Sequence, residues 1–356
     1  MNKLKKILKK DIRNISNSEM EDFFVEAKEP LFRKKQLNNW IWNKGVSSFA
    51  AMANMPKGLI NRLEDEYAFY PSEIVKTEVS EDATIKALIK MQKDTFVEGV
   101  LIPSDDRVTA CISTQAGCPL KCSFCATGTM GFKRNLTKAE IFDQFFLLNK
   151  LSLEKFEKPL SNLVLMGMGE PFLNLENVVD ALTIISSPEG LNFSSTRITI
   201  STIGIPMLIE EYAEKNYPWN LALSLHSSIS EVRKTIIPAS TKYPLDELQE
   251  ALKRYSRMRK KPITVEFLLL RKVNTSMAEA ESLVKFCSVF SSKINLIQYN
   301  EVPGLPFQKP TTQEMAQFLA WLRKKNVIVT VRRSMGSDIS AACGQLANNS
   351  KFVNNS

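Results

Sequence analysis

From residue 137 onward, segments of helical period alternate with short apolar strands, and no other feature narrows the fold as far. LTKAEIFDQFFLLNKL reads as a helix opened by a capping box of Thr137 and Glu140. The strands SNLVLMGM, RITIST, NLALSLH, ITVEFLLL, KINLIQYN and VIVTVRR follow in order. Between them lie ENVVDALTII, the stretch after Pro206, PLDELQEALKRYSRM, and helical patterns near 276–289 and 312–325. That is a run of about six βα units, which predicts a parallel sheet covered by helices, an open or closed barrel. The expected class is therefore α/β, with a partial (β/α) barrel as its core.

The chain ahead of this core divides in two. Residues 1–70 read as a small helical domain. In MNKLKKILKKDIRN, Leu4, Ile7, Leu8 and Ile12 fall on one helical face, with lysines including Lys5 and Lys6 on the other. PLFRKKQLNNWIWNKG sets Arg33, Lys34 and Lys35 beside Trp40 and Trp42, which we read as core, and Pro56 and Gly58 punctuate. Residues 71–106 change period. IVKTEVS, ATIKALIKM and TFVEGVLI alternate apolar and polar residues as antiparallel strands do, and Asp105–Asp106 turns the chain into VTACIST. The core then spans 107–334. A C-terminal segment, 335–356, ends in the polar ANNSKFVNNS, which we expect to be frayed.

With 356 residues, 44% of them hydrophobic and 24% charged, the chain has enough apolar material for a sizeable core and is not a disordered or collagen-like sequence. It contains no apolar run of the ~18 residues that a membrane span needs. The N-terminus carries lysines but no apolar signal region, so the expected location is the cytoplasm. Lys and Arg exceed Asp and Glu by 47 − 38 = 9. A basic excess of this size suits a nucleic acid partner, because phosphate contacts dominate such affinities.

The six cysteines are not spread as in a disulfide-framed secreted domain. Cys111, Cys118, Cys122 and Cys125 crowd into CISTQAGCPLKCSFC, while Cys287 and Cys343 stand apart. The spacing Cys118-x3-Cys122-x2-Cys125 puts three thiolates on one short loop. Three thiolates can hold three irons of a [4Fe–4S] cube and leave the fourth iron open. The alternative is a structural zinc loop that borrows Cys287 or Cys343 as a fourth ligand. With His226 the only histidine, zinc sites that mix Cys with several His are excluded. The loop follows the strand VTACIST, at the end where barrel sites sit.

CxxxCxxC with Phe124 before the last cysteine resembles the signature of the radical SAM superfamily. The run CISTQAGCPLKCSFCATGTMGFKRNLT, LVLMGMGEP, STIGI, LSLH, INLIQYN and AACGQL resembles, in the same order and over about residues 20–346, the radical SAM RNA methyltransferases that methylate adenine at C2. The resemblance implies one [4Fe–4S] cluster per chain on Cys118, Cys122 and Cys125, and S-adenosylmethionine (SAM), two molecules consumed per methylation. Gly169, Glu170, Ser201, Ser224, Leu225, His226 and Asn300 match the SAM-binding positions. Glycine in the GMGEP turn lets backbone approach a ligand, and a carboxylate can hold its ammonium.

Three further roles are implied. Cys343 would carry a methyl group as S-methylcysteine, because adenine C2 is too weakly nucleophilic to attack a methylsulfonium. A 5′-deoxyadenosyl radical would take a hydrogen atom from that methyl, and the carbon radical would add to C2. Removal of the C2 proton and attack of the Cys111 thiolate on the Cys343 sulfur would then release the product and leave a disulfide. Glu98 matches the acid–base position. Cys287 matches no role and reads as core. The implied substrate is an adenosine of 23S ribosomal RNA near the peptidyl-transferase centre, together with an adenosine of certain tRNAs. Such a base must be extruded from its stack to be reached, and the basic N-terminal domain is expected to bind the RNA through Lys5, Lys6, Arg33, Lys34 and Lys35. A flavodoxin or ferredoxin would supply electrons, no membrane is involved, and a monomer is expected. Methylation at C8 of the same rRNA adenosine is the nearest alternative, and an RNA-binding protein with a structural cluster is a more distant one.

Overall fold

The computed structural model describes residues 9–347. The N-terminal region holds α1 (Asn17–Glu26), α2 (Phe32–Asn38) and α3 (Lys57–Glu66), joined by single turns. The helix expected at the start of the chain does not continue here. Lys10–Asp11 pairs in parallel with Tyr67–Ala68, and Ile12–Asn14 is a 3-10 turn. Leu4, Lys5, Lys6, Ile7 and Leu8 lie outside the described residues. Tertiary contacts override the periodicity: Ile12 is buried, and Arg13 is buried with ion pairs to Asp11 (2.9 Å) and to Asp143 of the core (2.6 Å). Pro56 is the N-cap of α3 and Gly58 lies in its first turn, so this pair starts a helix rather than a loop.

Both tryptophans pack on the core, Trp42 inside it and Trp40 partly buried against it. Trp42 is buried edge-on against Phe142 at 4.9 Å. Trp40 sits at the rim, where its indole N–H donates to Asn54 Oδ1 at 2.6 Å and the Lys44 ammonium lies over its ring.

One sheet of ten strands carries the rest. Its antiparallel part is β1 (Glu73–Val79), β2 (Ile85–Met91) and β3 (Thr95–Pro103), which pairs with β4 (Val108–Cys111). From β4 the sheet continues in parallel through β5 (Asn162–Leu165), β6 (Ile198–Thr202), β7 (Asn220–Ser224), β8 (Ile263–Leu269), β9 (Ser292–Gln298) and β10 (Val329–Arg332). The six crossovers run through α4 (Lys138–Phe156), α5 (Leu175–Ser186), α6 (Pro206–Glu214), α7 (Leu245–Arg259), α8 (Met277–Cys287) and α9 (Thr312–Lys324). The expected capping box is formed: the Thr137 hydroxyl accepts from the Glu140 amide and the Glu140 carboxylate accepts from the Thr137 amide. The sheet is open, with β10 and β1 as its edges, so the barrel is partial.

Parallel strands buried on both faces need apolar residues at nearly every position, and those of β8 are buried at six of seven. A second, smaller apolar cluster lies at the C-terminal end of the sheet. Leu120, Phe124, Ile203, Ile236, Ile237, Leu268, Leu270, Ile297 and Tyr299 form it, with Cys118, Cys122 and Cys125 packed against it. Among the described residues no helix is long and apolar enough to cross a membrane.

Candidate active site

The three crowded cysteines leave the sheet on a braced loop. Past β4, Gln115–Gly117 pairs antiparallel with Phe132–Asn135 and closes the loop between them. Gly117 has φ +76, and a Cβ there would stand 1.8 Å from the Gly131 carbonyl oxygen, so only glycine permits the closure. The Cys118 amide donates to the Gly131 carbonyl (3.1 Å) and the Cys125 amide to that of Cys122 (3.2 Å), while Leu120 and Phe124 plug the loop into the apolar cluster beneath. Cys118, Cys122 and Cys125 are all free thiols and line one cavity. Burial pushes the Cys118 thiol up to about 12, and the Cys122 and Cys125 thiols are raised as well.

Such thiols reach their anionic form when a metal takes the proton's place. Among the described residues no three Cys, His, Asp or Glu side chains converge on the point a single ion would occupy. Of the two cysteines a zinc loop could borrow, Cys287 is buried on α8 away from the cavity wall, and Cys343 lines the cavity. An iron–sulfur cube asks each thiolate for a different iron, and this donor set fits it. Arg233 adds a compensating cation. Its guanidinium is buried facing Cys122, donates to the backbone oxygens of Leu225 and Ile203, and leaves Nη1 without a protein partner. Burial lowers its pKa to about 10, which still leaves it charged.

The rest of the cavity, about 960 Å³ of space including its open mouth, is built from the C-terminal ends of the parallel strands. Gly169 (φ +103) brings the GMGEP turn against Gln115, where a Cβ would meet another Cβ at 2.5 Å. The Glu170 carboxylate accepts the Phe172 and Ile203 amides, each at 3.0 Å, and burial raises its pKa to about 7. Ser201 and Ser224 end neighbouring strands with their hydroxyls 3.1 Å apart. His226 adopts φ +58, and its Nδ1 accepts the Leu268 amide (3.1 Å), so its proton sits on Nε2. Burial, with Arg233 nearby, lowers its pKa to about 3 and keeps it neutral.

Two expected SAM-binding residues stand elsewhere. Leu225 is fully buried behind the wall, engaged through its amide N–H with Leu223 and Glu266. Asn300 lines the neighbouring cavity, with Nδ2 buried and unpartnered.

That neighbouring cavity holds the other half of the chemistry. Cys111, the last residue of β4, lines it with Arg107, Arg333 and Ser334. Cys343, Arg332, Met166, Ile297 and Leu346 line both cavities. Cys343 thus stands where the two meet. Burial pushes the Cys111 thiol up to about 12, against the pull of Arg332. The Arg332 guanidinium faces Cys343, Glu266 and Cys111, and is held above its ordinary value. Glu98 lines neither cavity. Its buried carboxylate lies behind the Cys343 segment, accepting the Ala347 amide at 3.0 Å, with the Lys86 ammonium 3.9 Å away.

The sequence reading missed Arg233, Glu266, Arg332 and Lys86. The available signal was charge inside apolar strand patterns: Glu266 within ITVEFLLL, Arg332 at the end of VIVTVRR, and Lys86 within ATIKALIKM.

An open parallel sheet with a three-cysteine loop at the carboxyl end of its first parallel strand defines a radical SAM enzyme, and residues 112–284 match the model of the radical SAM superfamily. Residues 10–68 match the ribosomal RNA large subunit methyltransferase N-terminal domain. A crystal structure of a radical SAM methyltransferase from Sphaerobacter thermophilus superposes with a TM-score of 0.88 at 35% identity, covering 96% of this chain and 100% of that one. A protein of Flavobacterium johnsoniae named probable dual-specificity RNA methyltransferase RlmN is 42% identical over 96% of this chain and 98% of its own length. A Chlorobaculum tepidum protein of the same name is 39% identical over 95% and 92%. The chain belongs to the RlmN family of radical SAM RNA methyltransferases. Membership implies a [4Fe–4S] cluster, SAM and an RNA substrate.

Proposed function

We propose that this enzyme methylates C2 of an adenosine in 23S ribosomal RNA near the peptidyl-transferase centre, and an adenosine of certain tRNAs, through a methyl group carried on Cys343. The observation that supports this reading is the place of Cys343 at the junction of two cavities, one walled by the cluster cysteines and one by Cys111. The cofactor side would be held by Cys118, Cys122 and Cys125 for the cluster, and by Gly169, Glu170, Ser201, Ser224 and His226 for SAM. The cluster with bound SAM supplies a 5′-deoxyadenosyl radical.

The remaining roles belong to the protein. The Cys343 sulfur attacks the methyl carbon of a first SAM, forming a thioether and displacing S-adenosylhomocysteine. Arg332 faces that sulfur and sets a guanidinium beside the reacting group. The second cavity takes the extruded adenosine, with Arg107 and Arg333 at its mouth for the flanking phosphates. The Cys111 thiolate attacks the Cys343 sulfur, a Cys111–Cys343 disulfide forms as the sulfur–methylene bond breaks, and the methylene carbon, after loss of the C2 proton, takes up a proton to leave as the methyl of the base. Glu98 is the acid–base group of this reading. Glu98→Gln isolates that role, since the amide still accepts the Ala347 N–H yet takes up no proton. A cytoplasmic location goes with the RNA substrate, a flavodoxin or ferredoxin with the need for electrons, and a monomer with the single-chain site.

The test is mass mapping. Protein incubated anaerobically with SAM and reductant should gain one methyl on Cys343, and RNA product digests should carry the methyl at adenosine C2. A methyl at C8 would move the enzyme to the alternative activity, and an unmethylated Cys343 in active enzyme would overturn the reading.

A further inference from the structure

Cys343 lies in a stretch with little regular structure of its own: residues 335–347 contain one 3-10 turn and no strand. Three of its residues, Gly336, Ser340 and Gly344, are left-handed. Backbone of this kind needs partners from elsewhere. One end is met by a buried lysine: Lys86 of β2 donates its ammonium to the Ile339 carbonyl oxygen at 2.6 Å. The other end is met by Glu98 of β3, which accepts the Ala347 amide at 3.0 Å. Ile339 and Ala347 lie four residues before and four residues after Cys343.

The two side chains share one face of the antiparallel extension. Lys86 is paired with Val100, and Glu98 with Leu88, so they are diagonal neighbours, with Nζ and Oε1 3.9 Å apart. Glu78 of β1 adds a second carboxylate, 2.9 Å from the same ammonium. A buried lysine is tolerated only when paired, and this pairing fixes where its remaining N–H can point. An outer tie continues the seam. The Asp338 carboxylate accepts the Ser80 hydroxyl at 2.5 Å, and at Gly336 a Cβ would press on Thr84 at 2.8 Å.

We propose that Lys86 is a positioning residue for Cys343: with Glu98 it grips both ends of the Cys343 loop and thereby sets the thiol at the junction of the two cavities. The proposal rests on the reading of Cys343 as methyl acceptor, and gives the antiparallel extension a task in the reaction. The gripping itself involves no cofactor and is measured without one.

Amide hydrogen exchange on the full-length protein tests it. Lys86→Met keeps the stem and removes the ammonium. Lys86→Met with Glu98→Leu removes both charges of the pair at once. Both variants should exchange the amides of 340–347 about tenfold or more faster than wild type, while β4 and β5 keep their protection. Lys86→Arg, which keeps a cation, should restore protection. With SAM and reductant added, the two deprotected variants should also carry less methyl on Cys343 by intact mass. Wild-type protection over 340–347 in either folded variant would overturn the grip. Wild-type enzyme that never carries a methyl on Cys343 would overturn the functional reading instead, and leave the exchange result to decide the grip alone.

Discussion

The loop of Cys118, Cys122 and Cys125 and the loop of Cys343 line the same cavity, yet the first is closed largely by its neighbours in sequence and the second by residues far along the chain. The cluster loop closes on itself through short-range amide bonds such as Cys118 to Gly131 and Cys125 to Cys122, and is then docked by Ser123 on Ile236 and Ala126 on Gly344. The Cys343 loop is held by Lys86 across 253 positions, Glu98 across 249 and Thr127 across 219. A chelating loop can therefore be specified by spacing. A lone cysteine becomes a site only when the fold delivers it.

The sharpest way to break this comparison is at the cluster loop. Replacing any one of Cys118, Cys122 or Cys125 by Ala should abolish cluster iron and 5′-deoxyadenosine formation together, measured by iron and sulfide analysis of anaerobically reconstituted protein. Wild-type iron in all three variants would remove the cluster from this loop.

The second prediction separates the two cysteines of the neighbouring cavity. Cys343→Ala accepts no methyl and forms no RNA adduct. Cys111→Ala still adds the carrier carbon to the base but lacks the thiolate that opens the thioether. RNA should therefore stay covalently bound in Cys111→Ala alone, seen as a shifted, RNase-sensitive band on a denaturing gel, and the double variant should lose the band. Cross-linking in Cys343→Ala would invert the roles.

A smaller effect is expected from surface charge, and it compares the helical domain with the Cys343 side. In α2, Lys34 is already paired with Glu21 (2.6 Å) and Arg33 donates to Gln36 (2.7 Å), whereas Lys35 is exposed. Arg107 and Arg333 stand at the mouth of the second cavity. Changing those two arginines to Gln should weaken RNA binding more than changing Arg33, Lys34 and Lys35. Each phosphate deprived of its cation should flatten the slope of log affinity against log salt by ~0.7, checked by filter binding over a salt series. An unchanged slope in the arginine pair would take the RNA path away from this cavity.

The smallest expected effect is on stability, behind the SAM-side wall. Glu279 is buried, with Oε1 accepting the Ser227 hydroxyl at 2.7 Å and Oε2 unpartnered, and burial raises its pKa to about 7. A carboxyl whose folded pKa is raised stabilises the fold below its unfolded value, and that contribution is lost as pH rises through about 7. Glu279→Gln should therefore melt higher than wild type at pH values above this point and should show no advantage in acid. Equal Tm values across the range would mean that Glu279 is not titrating in the folded protein.

Much of the fold was legible because its signals are local. The Thr137 and Glu140 box, the six strand–helix alternations and the alternating strands ahead of them all depend on residues within a few positions of each other. Residues 10–14 misled because the face of Ile12 fits a helix, while the buried pairs of Arg13 with Asp11 and Asp143, the latter 130 positions away, go with a short strand and a 3-10 turn instead. Of the site, the three cluster cysteines and the strand-end residues Gly169, Glu170, Ser201, Ser224 and His226 were readable as cavity wall, because a motif at the carboxyl end of a parallel strand has one place to go.

By itself, then, the sequence determined the class of fold and the cluster loop, and its family resemblance singled out Cys111 and Cys343. Only the tertiary structure decided that Cys343 reaches the junction of the two cavities, that Asn300 faces the second of them, and that Glu98 lies behind the loop with Lys86 at its side. The reason is physical. Spacing along a chain dictates what a few consecutive residues can reach, whereas meetings across more than two hundred residues depend on strand order and register, which a single short segment does not encode.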